Sequence, residues 1–158
     1  MLLDYDGIIP DRLWVGSFIR PGDVRELKSL GINTIINLQS DEDVAAYGIS
    51  LSGIIAACRM EDVEYRRIPT PDFDKVAFAV KLPLCVAELE TALARDQSRV
   101  YLHCSAGINR SPTTAAAYLI RARGFSAAEA CRYMVERRDC QPYLELLETY
   151  EQNLKSTA

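Results

Sequence analysis

A short apolar run, Val100-Tyr101-Leu102, leads into His103-Cys104-Ser105-Ala106-Gly107-Ile108-Asn109-Arg110-Ser111-Pro112, and an alanine-rich pattern from Thr113 to Arg123 leads out. The run reads as a buried strand and the pattern as a helix, with a short loop between them. A cysteine then stands where a strand ends and an arginine where a helix begins. The loop's N–H groups can converge on one point, and a helix N-terminus adds positive potential there. Such a place favours the thiolate, the nucleophilic form of a cysteine. Arg110 offers a planar fork for two oxygens of one phosphate.

The remaining chain supplies the frame for this unit. Leu13 to Gly16 reads as a short strand, Pro21-Gly22-Asp23 opens a helix that Gly31 stops, and Ile32 to Leu38 reads as a buried strand. Residues 39–43 form a polar turn, Leu51 to Arg59 a helix, Val63 to Ile68 a strand, and Thr70-Pro71-Asp72-Phe73-Asp74 a loop. Pro83 fits the first turn of the next helix. Ser126-Ala127-Ala128-Glu129 is a capping box opening a helix to about Arg137, and Pro142 begins the last one. Strands alternate with helices. The expected fold is therefore α/β, a central, mainly parallel sheet of about five strands with helices on both faces, in one domain over residues 1–158.

Composition removes several classes. Lys and Arg number 18 against 22 Asp and Glu, a net charge of −4, so no basic excess points to nucleic acid. No apolar run approaches the ~20 residues of a membrane span, and no signal peptide is legible at Met1. The five cysteines, Cys58, Cys85, Cys104, Cys131 and Cys140, lack CxxC spacing, so neither a disulfide framework nor a zinc site is expected. A reducing cytoplasm suits them. His103 is the only histidine and directly precedes Cys104. Neighbours on a strand point to opposite faces, which argues against a Cys–His protease, a histidine hydrolase and a zinc enzyme. No metal and no cofactor are expected.

Cys104-x5-Arg110, within the form HCxAGxxRSPT from His103 to Thr113, resembles the signature of the cysteine-dependent protein tyrosine phosphatases, and most of all their dual-specificity branch. Leu38-Gln39, Ala46-Tyr47-Gly48, Asp72-Phe73-Asp74, Leu82-Pro83 and Arg138-Asp139-Cys140-Gln141-Pro142 extend the resemblance to the plant glucan phosphatases of the starch-excess type, catalytic domain only. The chain departs from them at Asn109, where they usually carry glycine, and at Gln141, where they place an aromatic.

The resemblance implies a phosphomonoesterase working through a cysteinyl-phosphate. Cys104 is the expected nucleophile. Arg110 and the N–H groups of Ser105, Ala106, Gly107, Ile108 and Asn109 are the expected phosphate cradle. Ser111 is expected to hydrogen-bond Cys104 and assist its departure, or to cap the helix, or both. His103 either orients the loop or is a plain structural histidine. Asp72 is the expected general acid, with Asp74 the competitor and turn chemistry the common alternative for both. Phe73 and Tyr47 are candidate substrate platforms, with core packing the competing role. Cys58 or Cys140 is a candidate redox partner of Cys104, and burial is the expected role of the other thiols.

The expected substrate is phosphoprotein or phosphoglucan, with a phosphoinositide ranked last because Ser105, Ile108 and Asn109 are uncharged. A rhodanese-like sulfurtransferase and a non-catalytic pseudophosphatase are the rival readings. The sequence leaves the oligomeric state open.

Overall fold

The computed structural model describes residues 2–157. Its five-stranded sheet runs β1(Tyr5–Ile9), β2(Leu13–Gly16), β5(Val100–His103), β3(Thr34–Asn37), β4(Glu64–Arg67) from edge to edge. β1 pairs antiparallel with β2, and the other pairings are parallel. β5 lies in the middle, with Leu102 level with Val15 on one side and Ile36 on the other. Both faces of the sheet are covered, as its continuous apolar strands require.

Alternation along the strands builds two cores. Val100 and Leu102 of β5 join Leu13, Val15 and Ile36 in the larger one. It is closed by α4(Lys75–Leu93), α5(Arg110–Arg123), α6(Ala127–Arg137) and α7(Leu144–Ser156). Tyr101 and Ile35 point the other way, into the core under α1(Asp23–Ser29) and α3(Leu51–Met60). α5 is buried along most of its length and packs against α4, α6 and α7. Its run of alanines lets those helices approach closely. Gly124 ends it in the left-handed conformation that glycine adopts without strain.

Several boundaries differ from the sequence reading, each for a local reason. Residues 39–43 do not form a bare turn. Ser40 and Asp43 make a reciprocal capping box that starts a short helix, α2(Asp41–Ala46). Pro83 does not open a helix: Asp74 accepts a hydrogen bond from the Ala77 N–H, so α4 starts at Lys75 and carries Pro83 in its interior. The ring lies on the exposed side of α4, where losing one helical hydrogen bond is tolerated. The last helix begins at Leu144, after Pro142. α5 begins at Arg110, three residues before the expected Thr113. β1 was not anticipated, because Gly7 and the acidic residues around it hide its alternation.

Candidate active site

The loop after β5 emerges at the carboxyl end of the central parallel strands, where sheets of this kind present their crevice. Its backbone is turned inside out by its neighbours. The His103 carbonyl accepts from the Leu38 N–H at 2.9 Å, that of Ser105 from Phe18 at 2.9 Å, that of Ile108 from Gln141 at 2.8 Å, and that of Asn109 from Thr113 at 2.9 Å. The Cys104 carbonyl accepts from His103 Nδ1 at 2.9 Å. Arg138 donates to the remaining two, from Nη2 to Ala106 at 3.1 Å and from Nε to Gly107 at 2.8 Å. Each carbonyl from 103 to 109 is thus satisfied outside the loop. The N–H groups of Ser105 to Arg110 hydrogen-bond to no other protein group among the described residues. That leaves a nest of donors facing one point, at the N-terminus of α5. Gly107 is required by this path: its φ is +69°, and a Cβ there would fall 2.6 Å from the Gly16 carbonyl.

Cys104 is buried at the bottom of the nest, with Sγ 3.2 Å from Ser111 Oγ. Ser111 lies inside the first turn of α5 and not at its cap; the cap position is Asn109, whose side chain makes no capping bond. Arg110 is 2% exposed. Its Nη1 donates to Asp43 Oδ2 and to the Thr70 carbonyl, both at 2.7 Å. Its Nη2 lies 3.1 Å from Asp72 Oδ2 and 3.4 Å from Ser105 Oγ. The Nε is buried without a partner among the described residues. One corner of the guanidinium is therefore bolted to the protein, while on the other edge Nε is without a partner and Nη2 pairs with Asp72, the groups a planar, two-oxygen acceptor would engage. Asp72, Cys104, Ala106, Ile108, Asn109 and Arg110 line the cleft that results.

The three residues of the upstream loop separate cleanly. Asp72 faces the cleft, and Asp74 is spent as the α4 cap. Phe73, between them, is 89% exposed and holds a φ of +58°. A bulky residue in the left-handed region is strained. The Phe73 N–H donates to Asp72 Oδ1 at 3.0 Å, which helps fix the carboxylate. Core packing is excluded for Phe73. Tyr47 is half-exposed and stacks on Phe18, with ring centroids 4.8 Å apart, and Arg20 lies over the Phe18 ring.

Four supporting residues escaped the sequence reading: Asp43, Thr70, Gln39 and Arg138. Burial pushes the Asp43 carboxyl upward, but hydrogen bonds from Arg110 and Ser40 outweigh it and hold the pKa below the usual value. Gln39 donates from Nε2 to Ser105 Oγ at 3.1 Å. Arg138 also pairs with Asp4 and Asp6, at 3.0 Å each. Of these, Gln39 and Arg138 lie in stretches that carry the resemblance but were given no role, and Asp43 sits at the Ser40-x-x-Asp43 capping spacing.

His103 is wholly buried, which lowers its pKa to about 4; the bond to the Cys104 carbonyl opposes that shift and the Arg110 charge adds to it. A carbonyl accepts only, so Nδ1 carries the proton. The other thiols are unlike a nucleophile: burial pushes Cys58 and Cys140 up to about 11 and raises Cys85 and Cys131. Cys58 belongs to the core on the opposite side of the sheet from Cys104. Among the described residues, no three His, Cys, Asp or Glu side chains are grouped to hold a metal ion.

This fold is shared with known proteins. The crystal structure of PTPMT1 superposes with a TM-score of 0.78 at 23% identity, over 97% of each chain, a likeness of fold. Residues 13–152 match the dual specificity phosphatase catalytic domain, and the chain belongs to that family. It is 34% identical over 149 residues to the amyloplastic phosphoglucan phosphatase DSP4 of Castanea sativa, covering 93% of this chain and 40% of that protein. It is 33% identical over 135 residues to the tyrosine-protein phosphatase vhp-1 of Caenorhabditis elegans, covering 84% of this chain and 19% of that one. The chain thus spans less than half the length of these relatives.

Proposed function

We propose that the 158 residues form one catalytic domain that hydrolyses phosphate monoesters through a cysteinyl-phosphate. The observation that carries this reading is the unpartnered Nε of the buried Arg110, on the guanidinium edge whose Nη2 meets Asp72, in the lining of the cleft that holds Cys104. The phosphate seats on that edge and on the nest of N–H groups. Cys104 attacks phosphorus in line; the S–P bond forms as the P–O bond to the leaving group breaks. Asp72 gives its proton to the departing oxygen, then takes one from the water that attacks the S–P bond. Ser111 donates to the sulfur as it leaves as thiolate. His103 and Arg138 hold the loop and touch no reacting atom.

For the substrate we favour phosphoglucan, with phosphoprotein second. Phe73, exposed beside Asp72, offers its face to a sugar ring, and the Tyr47–Phe18 stack offers a second aromatic surface. The similarity to a phosphoglucan phosphatase supports that choice, and the similarity to a tyrosine-protein phosphatase supports the second. A free thiol nucleophile suits a reducing compartment, and we place the protein in the cytoplasm. No helix among the described residues is long and apolar enough to cross a membrane. A rhodanese-like sulfurtransferase has no use for Asp72, and a pseudophosphatase has no use for an intact set of Cys104, Arg110 and Asp72.

Phosphate release from amylopectin and from phosphopeptides tests the proposal. Activity is expected to be blocked by vanadate and by iodoacetate, unaffected by EDTA and lost in Cys104→Ser. Full activity in that variant, or thiosulfate turnover without phosphate release, would overturn it.

A further inference from the structure

Tyr143 has no part in the chemistry above, yet three elements that build the site meet on it. It stands at the start of α7, half-buried against the larger core. Its N–H donates to Thr113 Oγ1 at 2.9 Å. Thr113 is buried in the first turn of α5, three residues beyond Arg110. The Tyr143 ring meets Phe78 of α4 edge to face, with centroids 6.2 Å apart. Lys75, the first residue of α4, sets its Nζ 4.9 Å from the centre of the same ring and pairs with Glu145 of α7 at 2.6 Å. One residue thus joins the helix that carries Arg110 to the helix that follows Asp72.

We infer that Tyr143 is a positioning residue for the general acid: it spaces the first turn of α4 from the first turn of α5, and so sets where Asp72 stands relative to Arg110. The inference rests on the reading of Asp72 as the acid. α4 is capped by Asp74, two residues after Asp72, so a shift of its first turn carries the carboxylate with it. Asp72 Oδ2 lies 3.1 Å from Arg110 Nη2, a distance that this spacing governs. Between Asp72 and the cap, Phe73 holds its left-handed φ of +58°. Such strain in a bulky residue persists only where the surroundings fix the segment. Arg110 holds the Asp72 end, and Tyr143 with Lys75 holds the α4 end. The exposed Lys75–Glu145 pair is worth little alone. The cation over the ring adds attraction, and the rigid ring supplies the spacing. Tyr143 also lies within electrostatic reach of the site: burial pushes its phenol up, the Asp72 charge pushes the same way, and Lys75 and Arg110 oppose them. The phenol therefore stays neutral and exchanges no proton near neutral pH.

Turnover of an alkyl and an aryl phosphate by Tyr143→Ala tests this. An acid misplaced by about an ångström is expected to lower kcat on the alkyl phosphate by about 10–10²-fold. The loss on the aryl phosphate, whose phenolate leaves unaided, is expected to be far smaller. Tyr143→Phe keeps the ring and the N–H and should restore the wild-type ratio of the two rates. Lys75→Met, at a half-exposed position that the fold tolerates losing, should shift the ratio the same way by a smaller factor, and it decides the matter if Tyr143→Ala does not fold. In an Asp72→Asn background, Tyr143→Ala should cost nothing further on the alkyl phosphate, because both act through one proton. An unchanged ratio in Tyr143→Ala and Lys75→Met, equal losses on both substrates, or full additivity with Asp72→Asn would overturn the inference and leave the acid assignment standing. An Asp72→Asn enzyme with no contrast between the substrates would remove that assignment, and this inference with it.

Discussion

At the scale of single residues, the site divides labour between groups that touch the reaction and groups that hold them. Asp72 belongs to the first kind. Asp72→Asn should cost about 10²–10⁴-fold in kcat on an alkyl phosphate, the usual worth of a general acid, and much less on an aryl phosphate whose phenolate leaves unaided. Equal losses on both would count against the assignment. Phe73 is exposed and strained, and Phe73→Ala keeps the strain and removes the ring. It should leave the urea midpoint unchanged and raise KM for phosphoglucan. His103 is of the holding kind and leaves a thermodynamic signature. Its folded pKa, about 4, lies below the ordinary 6.5. Between those values the unfolded chain binds a proton that the folded chain refuses, so stability falls as pH falls through that window. The loss should reach about 3 kcal/mol at the acid end. Urea titrations from pH 7 to 4 measure it, and His103→Gln should flatten that part of the profile.

At the scale of elements, the phosphate loop owes its shape to four segments that hold its carbonyls. The 138–141 stretch after α6 contributes most: Arg138 takes the Ala106 and Gly107 carbonyls, and Gln141 takes that of Ile108. Arg138→Met should lower kcat/KM by about 10²-fold, the effect of a loop displaced by about an ångström, with matching loss of vanadate affinity. The fold should tolerate it, because Asp4 and Asp6 are largely solvated. Asn109 joins the same clasp, its Nδ2 donating to the Gln141 carbonyl at 2.9 Å. The two positions where the chain departs from the plant glucan phosphatases therefore meet in space. Asn109→Gly should cost about 1 kcal/mol, one hydrogen bond, seen as a lower melting temperature with kcat little changed. The strand, loop and helix around Cys104 were legible because their signals are local: apolar run, small residues, alanine-rich stretch. The role of Arg138 was not legible: the resemblance marked the 138–142 stretch, but an arginine beside another in a polar stretch reads as solvated surface until the fold brings it under the loop. Asp43 was half-legible as a cap, but its bond to Arg110 spans 67 residues and depends on the sheet order.

At the scale of the whole molecule, the five-stranded, mainly parallel sheet places β5 in the centre and brings the loops of β3 and β4 to the same end. That topology delivers Asp43, Thr70 and Asp72 to one arginine. Alternation of strand and helix made the sheet predictable from the sequence. The strand order and the antiparallel β1 were not, because pairing is a long-range choice that composition does not encode. The central claim is that phosphate passes through Cys104. Ser111 lies 3.2 Å from that sulfur and is assigned to its departure, so Ser111→Ala should form the intermediate normally and break it slowly. Acid quenching of that variant during turnover, followed by mass analysis of its peptides, is the most direct test. The account predicts one phosphoryl group on the peptide containing Cys104, absent in Ser111→Ala combined with Cys104→Ser. A phosphoryl group on any other residue, or turnover in the doubly substituted enzyme, would contradict it.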